Sequence, residues 1–242
     1  MNDKLKKILL SNVDFKDVLF IVLAGSYNTK EFSKKSDYDL FVITNFTNKV
    51  KILNNKEKHK IEIFYYSTQR LKHCIKINDH IIVDVLARGK IIYSKNKKIT
   101  KKIINSMKNL YLNYKMNKDI QNRMIYRFNM IKDKLSVLKS KNDLEIRWLI
   151  IFSLPYVIRV LFYINRRVCP STKQWLSESL KLQISPNNFK DNLLYFIGSK
   201  KTDTSNLKLK MLETIKFIEG EIGTLPDSLE IKLSSKDPTT LI

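Results

Sequence analysis

The apolar positions follow two different rhythms along the chain. Before residue 96, short apolar runs alternate with polar turns, and one continuous run is typical of a strand covered on both faces. The predicted strands are residues 18–24, 38–44, 60–66 and 90–93. After residue 97, apolar residues recur at three- and four-residue spacing, which predicts helices. The pattern therefore predicts an α/β (α+β) chain: a small mixed β-sheet core with flanking helices at residues 1–96, then an all-α helical bundle domain at residues 97–242.

Two stretches of the first region carry weaker patterns. Residues 47–60 are mostly polar and simply separate two predicted strands. Residues 81–88 fit either a helix or a strand, because a short apolar run has no decisive period. A helix is predicted after residue 67, where Ser67 and Thr68 supply the hydroxyl groups that cap helix N-termini.

Two aspartates, Asp37 and Asp39, stand one residue apart where the second apolar strand begins. Alternate side chains of a strand point to the same face, so both carboxylates project together while Tyr38 turns away. Two carboxylates on one face make a poor core but a good seat for a divalent metal, which prefers hard oxygen ligands.

A Gly25-Ser26 pair closes the preceding strand, with ten residues between Ser26 and Asp37. Glycine lets the backbone turn tightly and approach an anion. The amides that follow and the Ser26 hydroxyl can then donate hydrogen bonds to phosphate oxygens. The spacing of the Gly-Ser corner and the two aspartates is much more specific than either element alone.

This arrangement resembles the polymerase-beta-like nucleotidyltransferase superfamily, most closely the bacterial small-molecule (antibiotic-type) nucleotidyltransferases with a C-terminal helical domain. The resemblance covers roughly the first 95 residues and includes the segment 89–93. It implies a third carboxylate on a neighbouring strand. Glu62 is preferred because it interrupts a short apolar strand, where an unpaired acid is costly. Asp84 is the alternative, and it would be a polar-face residue if residues 81–87 form a helix.

The resemblance also implies an activity: metal-dependent transfer of a nucleoside monophosphate from a nucleoside triphosphate to an acceptor hydroxyl, with release of pyrophosphate. Two Mg²⁺ ions, with Mn²⁺ as a possible substitute, would be held by three residues that are also the catalytic candidates: Asp37, Asp39 and Glu62. The triphosphate would be held by the Gly-Ser corner and the loop lysines, namely Gly25, Ser26, Lys30, Lys34 and Lys35.

The sequence is compatible with several classes of acceptor. A small antibiotic-like molecule is the first expectation, with ATP among the candidate nucleotides. The alternatives are an RNA-directed enzyme acting on a tRNA end, a toxin-type or a protein-nucleotidylating enzyme, and a non-catalytic basic nucleic-acid-binding protein. The formal net charge of +22, from 45 Lys and Arg against 23 Asp and Glu, favours polyanionic ligands. The lysines are scattered along the chain, however, as biased coding would also produce.

Other features of the sequence indicate the cellular compartment of the protein. Cys74 and Cys169 lack metal-ligand spacing and predict no disulfide framework, which favours a reducing compartment. The first residues lack the apolar core of a signal peptide. The run 148–158 is broken by Pro155 and too short to cross a bilayer. We therefore expect a cytoplasmic protein without a membrane partner.

One segment of the helical region combines basic and aromatic residues. Arg166, Arg167, Lys173 and Trp175 could together grip phosphate or stack on a base or sugar. They could equally be a basic helix end followed by a core tryptophan.

Overall fold

The computed structural model describes residues 3–28, 36–54, 60–139, 142–170 and 174–223. Contacts divide the chain into two compact units, residues 1–115 with 166–171 and residues 116–165 with 172–242.

The first unit is built on a five-stranded mixed sheet. Its strands are β1 (Val18–Ala24), β2 (Tyr38–Thr44), β3 (Lys49–Asn54), β4 (Lys60–Ser67) and β5 (Lys90–Ser94). They lie in the order β3-β4-β2-β1-β5. Strands β2 and β4 pair in parallel, and the other neighbours pair antiparallel. This sheet confirms the predicted fold class.

Four helices accompany the sheet: α1 (Asp3–Ser11), α2 (Thr68–Lys76), α3 (His80–Arg88) and α4 (Lys97–Leu112). Helix α1 and the turn after it contribute Leu9 and Val13 to an apolar cluster on one face of the sheet. Helix α2 starts as predicted, with the Ser67 hydroxyl accepting a hydrogen bond from the amide of Arg70. Helix α4 packs on α3 and therefore belongs to the same unit as the sheet. The sequence pattern had assigned this helix to the second region.

Strand β3 lies within residues 47–60, for which the sequence pattern predicted neither a helix nor a strand. It alternates Lys49, Val50, Lys51 and Ile52 at the edge of the sheet, where Val50 and Ile52 are 60% and 58% exposed. Edge strands commonly carry lysines, which discourage pairing with other chains. Those lysines made the segment look like a loop.

Residues 80–88 form a helix, which settles the ambiguity in that segment. Gly89 ends α3 and leads directly into β5, as the sequence suggested. A Cβ at Gly89 would overlap with the side chain of Val22 and the carbonyl oxygen of Val85. The glycine therefore lets the corner between α3 and β5 lie close against β1.

The described part of the second unit is helical. Its helices are α5 (Lys118–Val137), α6 (Asp143–Ile164), α7 (Trp175–Ser179), α8 (Phe189–Phe196) and α9 (Thr204–Ile222). Helices α5, α6 and α9 pack on one another. Fully buried side chains such as Phe128, Val157 and Met211 form the core.

Helix α6 corrects one expectation of length. It runs for 22 residues, and by length and composition it could cross a membrane, with a mean hydropathy of 1.6 in its most apolar window. The apolar run 148–158 is only the middle of this helix, so the run by itself understated the length of the apolar segment. Its window is nevertheless 61% buried in the fold, as in a core helix of a globular protein.

Candidate active site

The site is a row of residues that crosses four strands on one face of the sheet. Asp39 of β2 is in register with Ala24 of β1 on one side and with Glu62 of β4 on the other. Ile52 of β3 stands opposite Glu62. Since residues in register on neighbouring strands share a face, Asp39 and Glu62 lie side by side.

Asp37 joins this pair through a lysine. The ammonium of Lys60, at the start of β4, forms an ion pair with Glu62 Oε1 and lies 3.6 Å from Asp37 Oδ2. Lys60 and Asp37 are each 41% exposed, and Glu62 is 22% exposed. The hydrogen bond that Lys60 donates to Glu62, together with the negative charges of Glu62 and Asp37, raises the pKa of Lys60 above its ordinary value. Asp39 thus stands beside Glu62, and Asp37 is linked to Glu62 through the Lys60 ammonium.

Asp39 lies against the Gly-Ser corner. Gly25 starts a single 3-10 turn, Gly25–Asn28, with a positive φ of 68°. A Cβ on this residue would overlap with Asp39 Oδ2. The glycine is therefore needed twice, for its left-handed backbone and for the space that the Asp39 carboxylate occupies.

The next row of the same face is apolar. Phe41 of β2 is in register with Val22 of β1 and Phe64 of β4, and Val50 of β3 stands opposite Phe64. The rings of Phe41 and Phe64 stack with centroids 4.9 Å apart. This row forms an apolar surface next to the acids, on the same face of the sheet.

The residues fit a divalent cation by their chemistry. All three candidates offer carboxylate oxygens, the ligands that hard cations prefer. Within the described ranges, no three His, Cys, Asp or Glu side chains stand close enough together to ligate a metal as they are.

Asp84, the alternative third acid, is placed elsewhere. It lies on α3, and the guanidinium of Arg88 donates two hydrogen bonds to its carboxylate at 2.5 and 2.7 Å. A pair four residues apart on a helix is a common surface arrangement. Position therefore favours Glu62, which stands beside Asp39.

Some predicted site residues cannot be placed. Lys30, Lys34 and Lys35 lie outside the described residues, and for Ser26 only the backbone turn is described. Their expected contacts with a triphosphate remain predictions.

The basic and aromatic segment of the second region shows structural contacts. The Asn165 amide donates to the carbonyl oxygens of Leu161 and Ile184 and accepts from the amide of Ile184, which ties the end of α6 to a later loop. The guanidinium of Arg159 lies over the Trp175 ring at 5.7 Å. Lys173 lies outside the described residues. Arg166 and Arg167 are exposed just after α6, and Trp175 is half-buried.

Lys60 and Ile52 lie at the site, although neither was predicted from the sequence. Lys60 precedes Glu62 by two positions, so the period of a strand already placed both on one face. Ile52 gave no usable signal, since its strand was not predicted.

Comparison with known proteins agrees with this geometry. Residues 3–98 match the model of a family described as polymerase beta, nucleotidyltransferase. The crystal structure of a nucleotidyltransferase-like protein from Exiguobacterium sibiricum 255-15 is similar over 90% of this chain and 75% of that chain, with a TM-score of 0.56 and 11% sequence identity. At that identity the likeness shows a shared fold alone. A search of curated proteins found no match.

Proposed function

We propose a reaction from the premise that residues 3–98 form a nucleotidyltransferase domain of the polymerase beta family. The enzyme transfers a nucleoside monophosphate from a nucleoside triphosphate to an acceptor hydroxyl and releases pyrophosphate. The observation that carries the proposal is the registered pair of Asp39 and Glu62, with Asp37 drawn to the same face by Lys60.

The acids divide the work of the reaction. Asp37 and Asp39 would hold Mg²⁺, and Glu62 would complete the ligand set or accept the proton of the acceptor hydroxyl. The ion, when bound, would supply positive charge that offsets the negative charge developing during the transfer. The acceptor oxygen forms a bond to the α-phosphorus as the bond between that phosphorus and the bridging oxygen of pyrophosphate breaks.

We place the two substrates on different sides of Asp39. The Gly25 corner follows β1, on one side of Asp39, whereas Glu62 and Ile52 lie on the other side. We place the triphosphate on the Gly25 side, where backbone amides can donate to phosphate, and the acceptor on the side of β4 and β3.

The acceptor side favours a small molecule with an apolar surface. Val50 and Ile52 are exposed there beside the half-buried Phe64. Apolar side chains recognise carbon surfaces and offer nothing to a phosphate backbone. A strongly cationic acceptor would also be repelled by a chain of net charge +22, so a weakly charged antibiotic-like acceptor fits best. The same net charge favours the second candidate, an enzyme acting on a tRNA end.

The test is a transfer assay with α-labelled ATP, CTP, GTP and UTP. Acceptors are a lincosamide and aminoglycoside panel, total tRNA, and cell lysate for protein acceptors. We expect label on a small molecule with the wild-type enzyme, and loss of transfer in Asp37→Ala and Asp39→Ala by about 10²–10⁴-fold. Asp133→Ala, which removes an exposed acid on α5, is the matched control.

Two outcomes would contradict the proposal. Full turnover in both aspartate variants would exclude their role in catalysis. Label on tRNA or on protein with none on the small molecules would replace the acceptor class while keeping the reaction.

A further inference from the structure

Lys60 is the cation of the acid row, and the proposed reaction assigns it no role. Its ammonium pairs with Glu62 on its own strand and lies 3.6 Å from Asp37, which directly precedes β2. One side chain therefore links two acids that reach the site from different parts of the chain.

We propose that Lys60 is an internal counterion, which holds Asp37 and Glu62 together in the empty enzyme and must leave before a divalent cation can bind between them. This inference rests on the proposed function, because it takes Asp37 and Glu62 to be metal ligands. Lys60 is then a positioning residue, since it acts through the acids.

Competition follows from the shared oxygens. The ammonium and a divalent cation both bind the carboxylate oxygens of Asp37 and Glu62, and two cations repel each other at such short range. The ammonium can be displaced because the pair is partly exposed, where ion pairs contribute little stability, and because lysine has a long flexible stem. The strand itself does not have to move.

Displacement has a consequence for the order of binding. A free ammonium beside the site needs a new anionic partner, and the α-phosphate of a nucleotide, which the proposed reaction brings to the acids between the two substrate sides, supplies one. The nucleotide should therefore strengthen metal binding, and by linkage the metal should strengthen nucleotide binding by the same factor. Lys60 would keep the acids from holding a metal without substrate.

The test measures Mn²⁺ affinity by electron paramagnetic resonance, with and without a non-hydrolysable triphosphate analogue. We expect Lys60→Met to bind Mn²⁺ alone about tenfold more tightly than wild type and to respond less to the analogue. Lys60→Arg, which keeps the charge, should bind Mn²⁺ as weakly as wild type. Lys51→Met is the matched control, since it removes the same charge from an exposed site on β3. The side chain of Lys51 lies on the opposite face of the strand from Ile52.

The expected direction separates this role from a structural one. If Lys60 merely held the acids in place, Lys60→Met would bind Mn²⁺ more weakly, and that result overturns the inference, as does unchanged affinity. Absence of Mn²⁺ binding in every variant would overturn it too, together with the metal role of the acids. Tighter Mn²⁺ binding in Lys60→Met without transfer to any acceptor would leave the inference standing while the proposed reaction fails.

A folding control accompanies the binding data. Lys60→Gln, which is polar and of similar length, should reproduce the gain of Lys60→Met. Far-ultraviolet circular dichroism of each variant should match the wild-type spectrum.

Discussion

The two faces of the sheet in the first unit use neighbouring residues for opposite purposes. On one face, Leu40 and Ile63 are fully buried in a continuous apolar cluster. On the other, Asp39 and Glu62, each one position earlier, form the row of acids. Because side chains of a strand alternate, stability and chemistry are separated by a single residue. The comparison teaches that substitutions one position apart should have different kinds of effect.

The acid face tolerates charge because of where the acids lie. Asp37 directly precedes β2 and Asp39 is its second residue, and Lys60 and Glu62 lie at the start of the parallel neighbour β4. Water still reaches these side chains, and Lys60 offsets part of their charge. Further along the same face the residues are apolar, beginning with Phe41 and Phe64. A buried charge without a partner there would be costly.

The largest expected effect tests which carboxylate belongs to the acid face. Glu62→Gln should lower the rate of transfer by about 10²–10⁴-fold, because Glu62 stands beside Asp39 and serves as ligand or base. Asp84→Asn should leave the rate within about twofold, since its ion pair with Arg88 lies on α3 and such pairs contribute little. Steady-state rates of both variants decide it, and the reverse ranking would assign the role to Asp84.

The next effect separates the two faces by stability. Leu40→Ala should lower the free energy of unfolding of the first unit by about 2–5 kcal/mol, through lost burial and a cavity. Asp39→Asn should change it by less than about 1 kcal/mol while abolishing transfer. Both tryptophans, Trp148 and Trp175, lie in the second unit, so amide hydrogen exchange of β1, β2 and β4 is the suitable measurement. Equal destabilisation by the two variants would contradict the separation of stability and chemistry between the two faces of the sheet.

The smallest effect sharpens the role of the corner beside Asp39. Gly25→Ala should reduce transfer by about a hundredfold, because the new Cβ would displace the Asp39 carboxylate. Gly198→Ala is the matched control: it has a similar positive φ of 77°, but its Cβ would meet open space. Transfer assays with both variants separate backbone strain from displacement of Asp39. Equal losses in the two would show that the space at Gly25 is unimportant.

Much of this architecture could be predicted from local pattern. Continuous apolar runs placed β1 and β2, and the Gly-Ser corner and the paired aspartates indicated the chemistry. Strand β3 escaped because its lysines alternate with apolar residues at an exposed edge, so the local composition resembled a loop. Helix α3 stayed ambiguous because nine mostly apolar residues have no decisive period.

The sequence by itself determined the residue types of the site and the strand alternation that turns Asp39 away from Leu40. Only the tertiary structure decided that β4 pairs in parallel with β2, which brings Glu62 next to Asp39 and lets Lys60 reach Asp37. The physical reason is that register between distant strands depends on how the whole apolar face packs. No short stretch of sequence carries that information.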